Sequence, residues 1–216
     1  MIRVLVACEC TGAVRDAFLA AGADAWSCDL KPSEAPGPHI QGDALKVIGW
    51  GWDLMIAHPE CRYLSSSGLF RNRGNPERQA KTQAALDFAR ALLDAPIPFI
   101  AIENPVGRLG TAIRPAEQTI QPYEFGHDAS KRTCLWLKGL PRLTINPATR
   151  HPGRRVTDPR NGKAVERWSN QTDSGQNRLG PSEERSAIRA ATYPGIAAAM
   201  AREWLPVAAG QLRLAA

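Results

Sequence analysis

The chain has 216 residues, is 44% hydrophobic and carries a formal net charge of +6. That length supports one sizeable core with a small appendage. It contains no run of about 18 apolar residues, which argues against a transmembrane helix. The opening MIRVLVACECTG reads as a buried strand and a turn, without the apolar stretch and cleavage site of a secretory leader. The expected compartment is therefore the cytoplasm, where five cysteines at scattered positions (8, 10, 28, 61, 134) are expected as reduced thiols.

Strand and helix patterns alternate along the chain. Arg3–Cys8 predicts a strand and Thr11-Gly12 a turn, and Ala13–Ala21 has helical spacing that stops at Gly22. Ala25–Leu30 predicts a second strand carrying Asp29 near its end. His39–Ala44 predicts a weak strand, then a loop with Gly42-Asp43. Trp52–Ala57 is an apolar strand that runs into His58-Pro59. The polar, basic stretch Arg62–Asn75 predicts a loop. Pro76 suits the first turn of a helix continuing through Leu93, with apolar residues at Ala85, Phe88, Ala89, Leu92 and Leu93. Phe99–Ile102 predicts a buried strand meeting Glu103-Asn104-Pro105, and Thr119–Phe125 and Thr133–Leu137 predict later strands. From Thr144 to Ser186 Pro, Gly, Asn and Arg dominate, which predicts an irregular insert. Ala187–Trp204 returns to helical spacing, interrupted at Pro194-Gly195.

Continuous apolar strands between amphipathic helices indicate an α/β fold with a largely parallel sheet. The expected organisation is a main domain over 1–143 and 187–205, a basic, loop-rich insert over 144–186 and a tail over 206–216. In such sheets ligands lie beyond the carboxyl ends of the strands. The polar residues there, Glu9, Asp29, Asp43, Pro59–Cys61 and Glu103–Asn104, are the site candidates.

Cys61 follows a strand end on a polar loop, with Arg62 adjacent and His58 near. Positive charge lowers a thiol pKa and favours a nucleophile; an ordinary loop cysteine is the alternative. Glu103 follows a fully apolar strand, where it suits a general acid or a hydrogen-bond anchor for a base, or else a helix cap or structural ion pair. Asp29 lies about 20 residues beyond the first turn, where dinucleotide folds place the acid that holds ribose hydroxyls. The chain has no CxxC and its four histidines are dispersed, so no metal site is expected. Between Pro141 and Gly180 eight basic residues face three acids, nearly the whole positive excess of the chain. Such a concentration suits a phosphate-binding surface or a solvated loop.

Taken in order, these pieces resemble the cytosine-carbon-5 DNA methyltransferases. RVLVACECTGAVRDAF resembles the family's strand and glycine turn, and Asp29, Gly42-Asp43 and Pro59-Glu60-Cys61 match its next motifs. Glu103-Asn104-Pro105, FGHDASKRTCLWLKG and TYPGIAAAMA resemble its later ones. The NQTDSGQNRLGPSEERS stretch is similar to short phage or prophage-type members. Glu60 stands where the family has proline, Cys10 where it usually has glycine, and the large target-recognition domain is absent.

The resemblance implies a Rossmann-like class I methyltransferase fold, S-adenosylmethionine as cofactor and DNA as partner. It implies a cofactor site at Cys8, Glu9, Cys10, Thr11, Gly12, Asp29, Asp43 and Pro59, and a reaction centre at Cys61, Glu103, Asn104, Lys131 and Arg132. Arg62, Arg71, Arg73, Arg154 and Arg155 are the candidate nucleic-acid contacts. Two other functions compete. One is the same chemistry on single-stranded DNA, RNA or a free nucleotide; the other is an inactive nucleic-acid-binding relative. A Rossmann oxidoreductase is disfavoured because the first turn has a single glycine.

Overall fold

The computed structural model describes residues 1–180 and 191–215, with side chains through residue 210. The chain begins with β1 (Arg3–Ala7), α1 (Ala13–Ala20), β2 (Asp24–Asp29), β3 (His39–Gln41) and β4 (Leu54–Ala57). It continues with α2 (Ser66–Leu69), α3 (Pro76–Leu93), β5 (Phe99–Pro105), α4 (Arg108–Ala112), β6 (Gln118–Ile120) and β7 (Thr133–Lys138). A hairpin of β8 (Arg154–Thr157) and β9 (Ala164–Arg167) follows, and α5 (Pro194–Ala215) is the last helix described.

Seven strands form one sheet in the order β3-β2-β1-β4-β5-β7-β6. The β1–β2, β2–β3, β1–β4 and β4–β5 pairs are parallel, and β7 runs antiparallel to both β5 and β6. This is the α/β, largely parallel, Rossmann-like sheet expected from the sequence, in the class I methyltransferase order. Because side chains alternate along a strand, each apolar run feeds two cores. Val4, Val6, Leu54 and Ile56 pack with Phe18 of α1 and with Met200 and Trp204 of α5. Leu5, Met55, Ile100 and Ile102 pack with Leu86, Ala89 and Leu92 of α3. Burial on both faces is why these strands read as unbroken hydrophobic runs.

From β1 the chain winds outward to β2 and β3, then crosses back to β4 on the other side of β1. A doubly wound sheet opens its crevice at this reversal. The carboxyl ends of β1 and β4 are joined there: Ala7 pairs with Ala57, and His58 N donates to Ala7 O at 2.9 Å.

Five expectations change. β5 continues through Pro105, so Glu103 and Asn104 lie within the strand, paired with Leu135 and Cys134 of β7, rather than after it. The 62–75 stretch is not one open loop, since it folds into α2 and a 3-10 turn over Phe70–Asn72. The expected strand over Thr119–Phe125 ends at Ile120, because Pro122 starts a 3-10 turn capped by Gln121 and Glu124. The basic insert contains the β8–β9 hairpin. The last helix starts at Pro194 and runs through Ala215, where a tail is expected from 206. Pro at a first helical position stabilises a start that spacing alone reads as an interruption. Residues 187–190 of the expected helix and the 181–186 end of the NQTDSGQNRLGPSEERS stretch lie outside the described residues. Among the described residues no helix is long and apolar enough to cross a membrane.

Candidate active site

The first strand end is built around a turn from Cys8 to Gly12. Cys8 has φ 60° and Gly12 φ 78°, both left-handed, a conformation that suits glycine and strains cysteine. Glu9 is buried, and its carboxylate accepts from the backbone N–H groups of Val14 (2.7 Å) and Arg15 (3.2 Å). It therefore closes the open amino end of α1, where negative charge is favoured, rather than standing open to a ligand.

Arg15, fully buried, fills the space that a side chain on Gly12 would need. Its guanidinium donates to Ser27 Oγ (3.2 Å), Ser33 Oγ (3.1 Å) and Pro36 O (2.8 Å), and pairs with Asp16. The segment after β2 is thereby fixed over the turn, and Glu34 N donates to Cys10 O at 2.8 Å. Nothing in the sequence marks Arg15 except a cation on the buried face of an amphipathic helix.

Asp29 accepts from Lys31 N (2.9 Å) and Asp43 from Leu45 N (3.0 Å), each with one carboxylate oxygen. The two acids act on the same thiol: burial first, then Asp29, Cys28 and Asp43, push Cys8 up to about 12. Cys10 and Cys28 are pushed up to about 11, burial leading in both. Three of the five thiols are thus held protonated, and Cys134 is buried within β7. Cys61 is exposed.

The loop carrying Cys61 is fixed to β5 and the turn after it from both sides. On the β4 side, His58 Nδ1 lies 2.8 Å from Glu103 Oε2, and Asn104 Nδ2 donates to the carbonyl of buried Pro59 at 2.7 Å. Beyond Cys61, Ser66 N donates to Val106 O (2.9 Å) and Arg108 N to Leu64 O (2.8 Å). The two backbones approach so closely at Gly107 that an added Cβ would overlap the Leu64 carbonyl, so only glycine fits. Cys61 O itself accepts from Leu64 N and Ser65 N, which turns the loop back on itself.

Glu103 and His58 are largely buried, with side chains 8% and 11% exposed. Burial alone would raise the Glu103 carboxyl. The Lys131 charge, the His58 hydrogen bond and charge, and a bond from Thr133 outweigh it and hold Glu103 down at about 2. Glu103 is ionised at neutral pH. Lys131, Thr133, Thr192, Tyr193 and Ile196 line a small cleft with it. Arg132, by contrast, is exposed and its charge acts on Tyr123, so only the first of this basic pair is brought to Glu103. From sequence, His58 is merely a positive neighbour of Cys61; its bond to Glu103 spans 45 residues and no local pattern announces it.

Arg62, Arg71 and Arg73 are exposed on the segment after Cys61. Arg71 lies 5.3 Å from the Phe70 ring, itself 71% exposed. In the insert, Arg154 pairs with Asp173 (2.6 Å) and donates to Gln171 O, while Arg155 is exposed on the hairpin. Arg150 pairs with Glu166, and Arg160 and Arg167 both pair with Asp158. Much of the positive charge is therefore used within the insert. The hairpin is anchored to the main domain by stacked Tyr123 and Trp168 rings, 3.8 Å apart. Among the described residues no group of three His, Cys, Asp or Glu is placed to hold a metal ion.

No protein-family model and no curated protein matches the chain. Among solved structures it is similar to an Escherichia coli prophage-encoded protein described as a DNA modification methyltransferase (15% identity, TM-score 0.44, 63% of this chain and 46% of that one). It is also similar to the Entamoeba histolytica methyltransferase EhMeth (15%, 0.49, 70% and 58%) and to a mutant of Spodoptera frugiperda DNMT2 (16%, 0.41, 64% and 50%). The chain spans about half the length of these structures.

Proposed function

We propose that the chain transfers a methyl group from S-adenosylmethionine to carbon 5 of cytosine in DNA, with Cys61 as the nucleophile. The observation that carries this reading is the loop of Cys61 pinned at His58, Pro59, Leu64 and Ser66 to the segment holding an ionised, buried Glu103.

Carbon 5 of cytosine is a weak nucleophile. Attack of the Cys61 thiolate at carbon 6 forms a C–S bond and shifts the ring electrons toward carbon 5 and nitrogen 3. The anionic Glu103 is suited to a ring that has taken up a proton at nitrogen 3, which draws electrons from carbon 6. After methylation the carbon-5 proton leaves to water, the C–S bond breaks with its electron pair so that Cys61 is restored as the thiolate, and the nitrogen-3 proton returns to solvent. Asn104 keeps the Pro59 carbonyl, and with it the loop, in place. In duplex DNA the target base has to leave the stack to meet Cys61.

The residues beyond β1, β2 and β3 are suited to the cofactor. Asp29 and Asp43 each spend one oxygen on their own loop and sit beside the Cys8 turn, as ribose and adenine contacts require. S-adenosylmethionine would supply there an electrophilic methyl group on a sulfonium. Glu9, Thr11 and Gly12 then serve by shaping the turn, and Arg15 by fixing the segment above it. Asp29→Ala should weaken cofactor binding by ~1–3 kcal/mol, the cost of hydroxyls left unpaired. Calorimetry with S-adenosylmethionine reads this, and unchanged affinity removes Asp29 from the site.

The exposed arginines beside Cys61 and on the hairpin are suited to phosphate contacts. Neutralising Arg154 and Arg155 together should lower the slope of log affinity against log salt. The change should be about 0.9, one phosphate contact, since Arg154 is already held by Asp173. A slope equal to the parent's would assign the hairpin to solvent.

The small insert favours a second substrate, single-stranded DNA, because among its described residues one short hairpin is available to read a duplex. A methyl-transfer assay on duplex DNA, single-stranded DNA, RNA and cytidine nucleotide tests the function and separates these substrates. Absence of transfer to all four would leave a nucleic-acid-binding protein.

A further inference from the structure

We propose, resting on the roles given above to Cys61 and Glu103, that His58 is a positioning residue for the reaction: it holds the Glu103 carboxylate in the orientation that meets the base. Three observations carry this. The His58 Nδ1 to Glu103 Oε2 contact is short and shielded, at 2.8 Å with both side chains about nine-tenths buried. A carboxylate accepts only, so Nδ1 carries the proton. The other nitrogen, Nε2, is also buried and has no partner among the described residues. A buried polar atom left unmet costs stability, so a histidine chosen for packing alone would be better replaced by an apolar residue. The third observation is the position of His58. It is the first residue after β4, bonded through its backbone to β1 and through its ring to β5. It thereby ties the turn that would hold the cofactor to the carboxylate that would hold the base. Lys131 and Thr133 act on Glu103 from the β7 side; His58 is the hold from the β4 side.

Displacing a reacting group's partner by about 1 Å costs roughly 10²-fold in rate. Asparagine places an amide N–H near the position of Nδ1, whereas glutamine places it near Nε2. His58→Asn should therefore keep kcat within a few-fold of the parent. His58→Gln and His58→Leu should lose about 10²-fold in kcat, with the S-adenosylmethionine KM and Kd unchanged. Because His58 acts through Glu103, the double variant His58→Leu/Glu103→Gln should be no slower than Glu103→Gln alone. Nitrogen NMR of the parent without ligands should find Nδ1 protonated.

A packing role predicts otherwise: glutamine at least as good as asparagine, rates that follow melting temperature, and losses that multiply in the double variant. Any of these overturns the proposal, and should His58→Leu fail to fold, the Asn and Gln variants still decide it. A parent that methylates no cytosine substrate, or a Cys61→Ser variant that still does, would overturn the reading of the site and His58's role with it. An active parent with equal Asn and Gln variants overturns only the role of His58.

Discussion

Cys61→Ser should abolish methyl transfer while leaving cofactor binding at the parent's level. A serine hydroxyl is scarcely ionised at neutral pH and is a far weaker nucleophile than a thiol. Loss of a covalent nucleophile typically costs on the order of 10⁴- to 10⁶-fold in kcat. The side chain is exposed, on a loop held by backbone contacts at Leu64, Ser65 and Ser66. The melting temperature should therefore hardly move. Cys8, Cys10 and Cys28 give the contrast. Their thiols are pushed up to about 11 or 12, so none of the three offers a thiolate at neutral pH. Turnover by Cys61→Ser close to the parent's would exclude the covalent route.

Glu103→Gln should slow methyl transfer by about 10²- to 10³-fold, the size seen when one preorganised electrostatic contact is removed, with little change in cofactor affinity. Glutamine has nearly the same shape and can still accept from His58 Nδ1, but it carries no charge to match a ring protonated at nitrogen 3. The effect should fall on kcat rather than KM for the cofactor. The pH dependence separates charge from shape. Lys131 first, then His58 and Thr133, hold the carboxyl at about 2 against its burial. A carboxyl with a depressed folded pKa adds stability that is present above its unfolded value and is lost as pH falls toward about 2. Between pH 5 and 8, then, Glu103 stays ionised, and no limb of the rate profile there belongs to it. Glu103→Gln should lower the profile without changing its shape across that range.

Most of the sheet was legible because burial on both faces leaves a plain signal. β1, β4, β5 and β7 are built on apolar runs, and β1, β2, β4 and β7 lie within about two residues of the expected spans, while β5 runs three residues further, to Pro105. The acids at the ends of two of those strands, Asp29 and Glu103, were legible as site candidates for a related reason: a charge beside a buried run is costly unless it has a purpose.

What stayed hidden depends on contacts distant in sequence or on local exceptions. The 45-residue span from His58 to Glu103 and the grip of Arg15 on Ser33 and Pro36 exist only once the strands align. Glu9 read as a strand-end ligand residue because the forward reach of its carboxylate to Val14 and Arg15 depends on the left-handed turn at Cys8 and Gly12. The 62–75 stretch read as open loop because its short helix owes little to apolar spacing. It is tied instead by Arg78, whose guanidinium donates to Arg62 O and Gly68 O. In the insert the β8–β9 hairpin was masked by Arg and Gly. Its placement rests on the Arg150–Glu166 ion pair and the stack of Tyr123 with Trp168, contacts to residues outside the two strands that no local pattern announces.

The claim that Cys61 attacks carbon 6 is tested most directly by trapping. The protein is incubated with S-adenosylmethionine and an oligonucleotide bearing 5-fluorocytosine, and adducts are resolved under denaturing conditions and mapped by mass spectrometry. Fluorine cannot leave as a proton does, so the methylated ring should remain joined through its C–S bond to Cys61. Adduct formation should require the cofactor, fall sharply with Glu103→Gln and vanish with Cys61→Ser. Methyl transfer to ordinary cytosine with no covalent species on the fluorinated base, or an adduct mapped to another cysteine, would contradict the account.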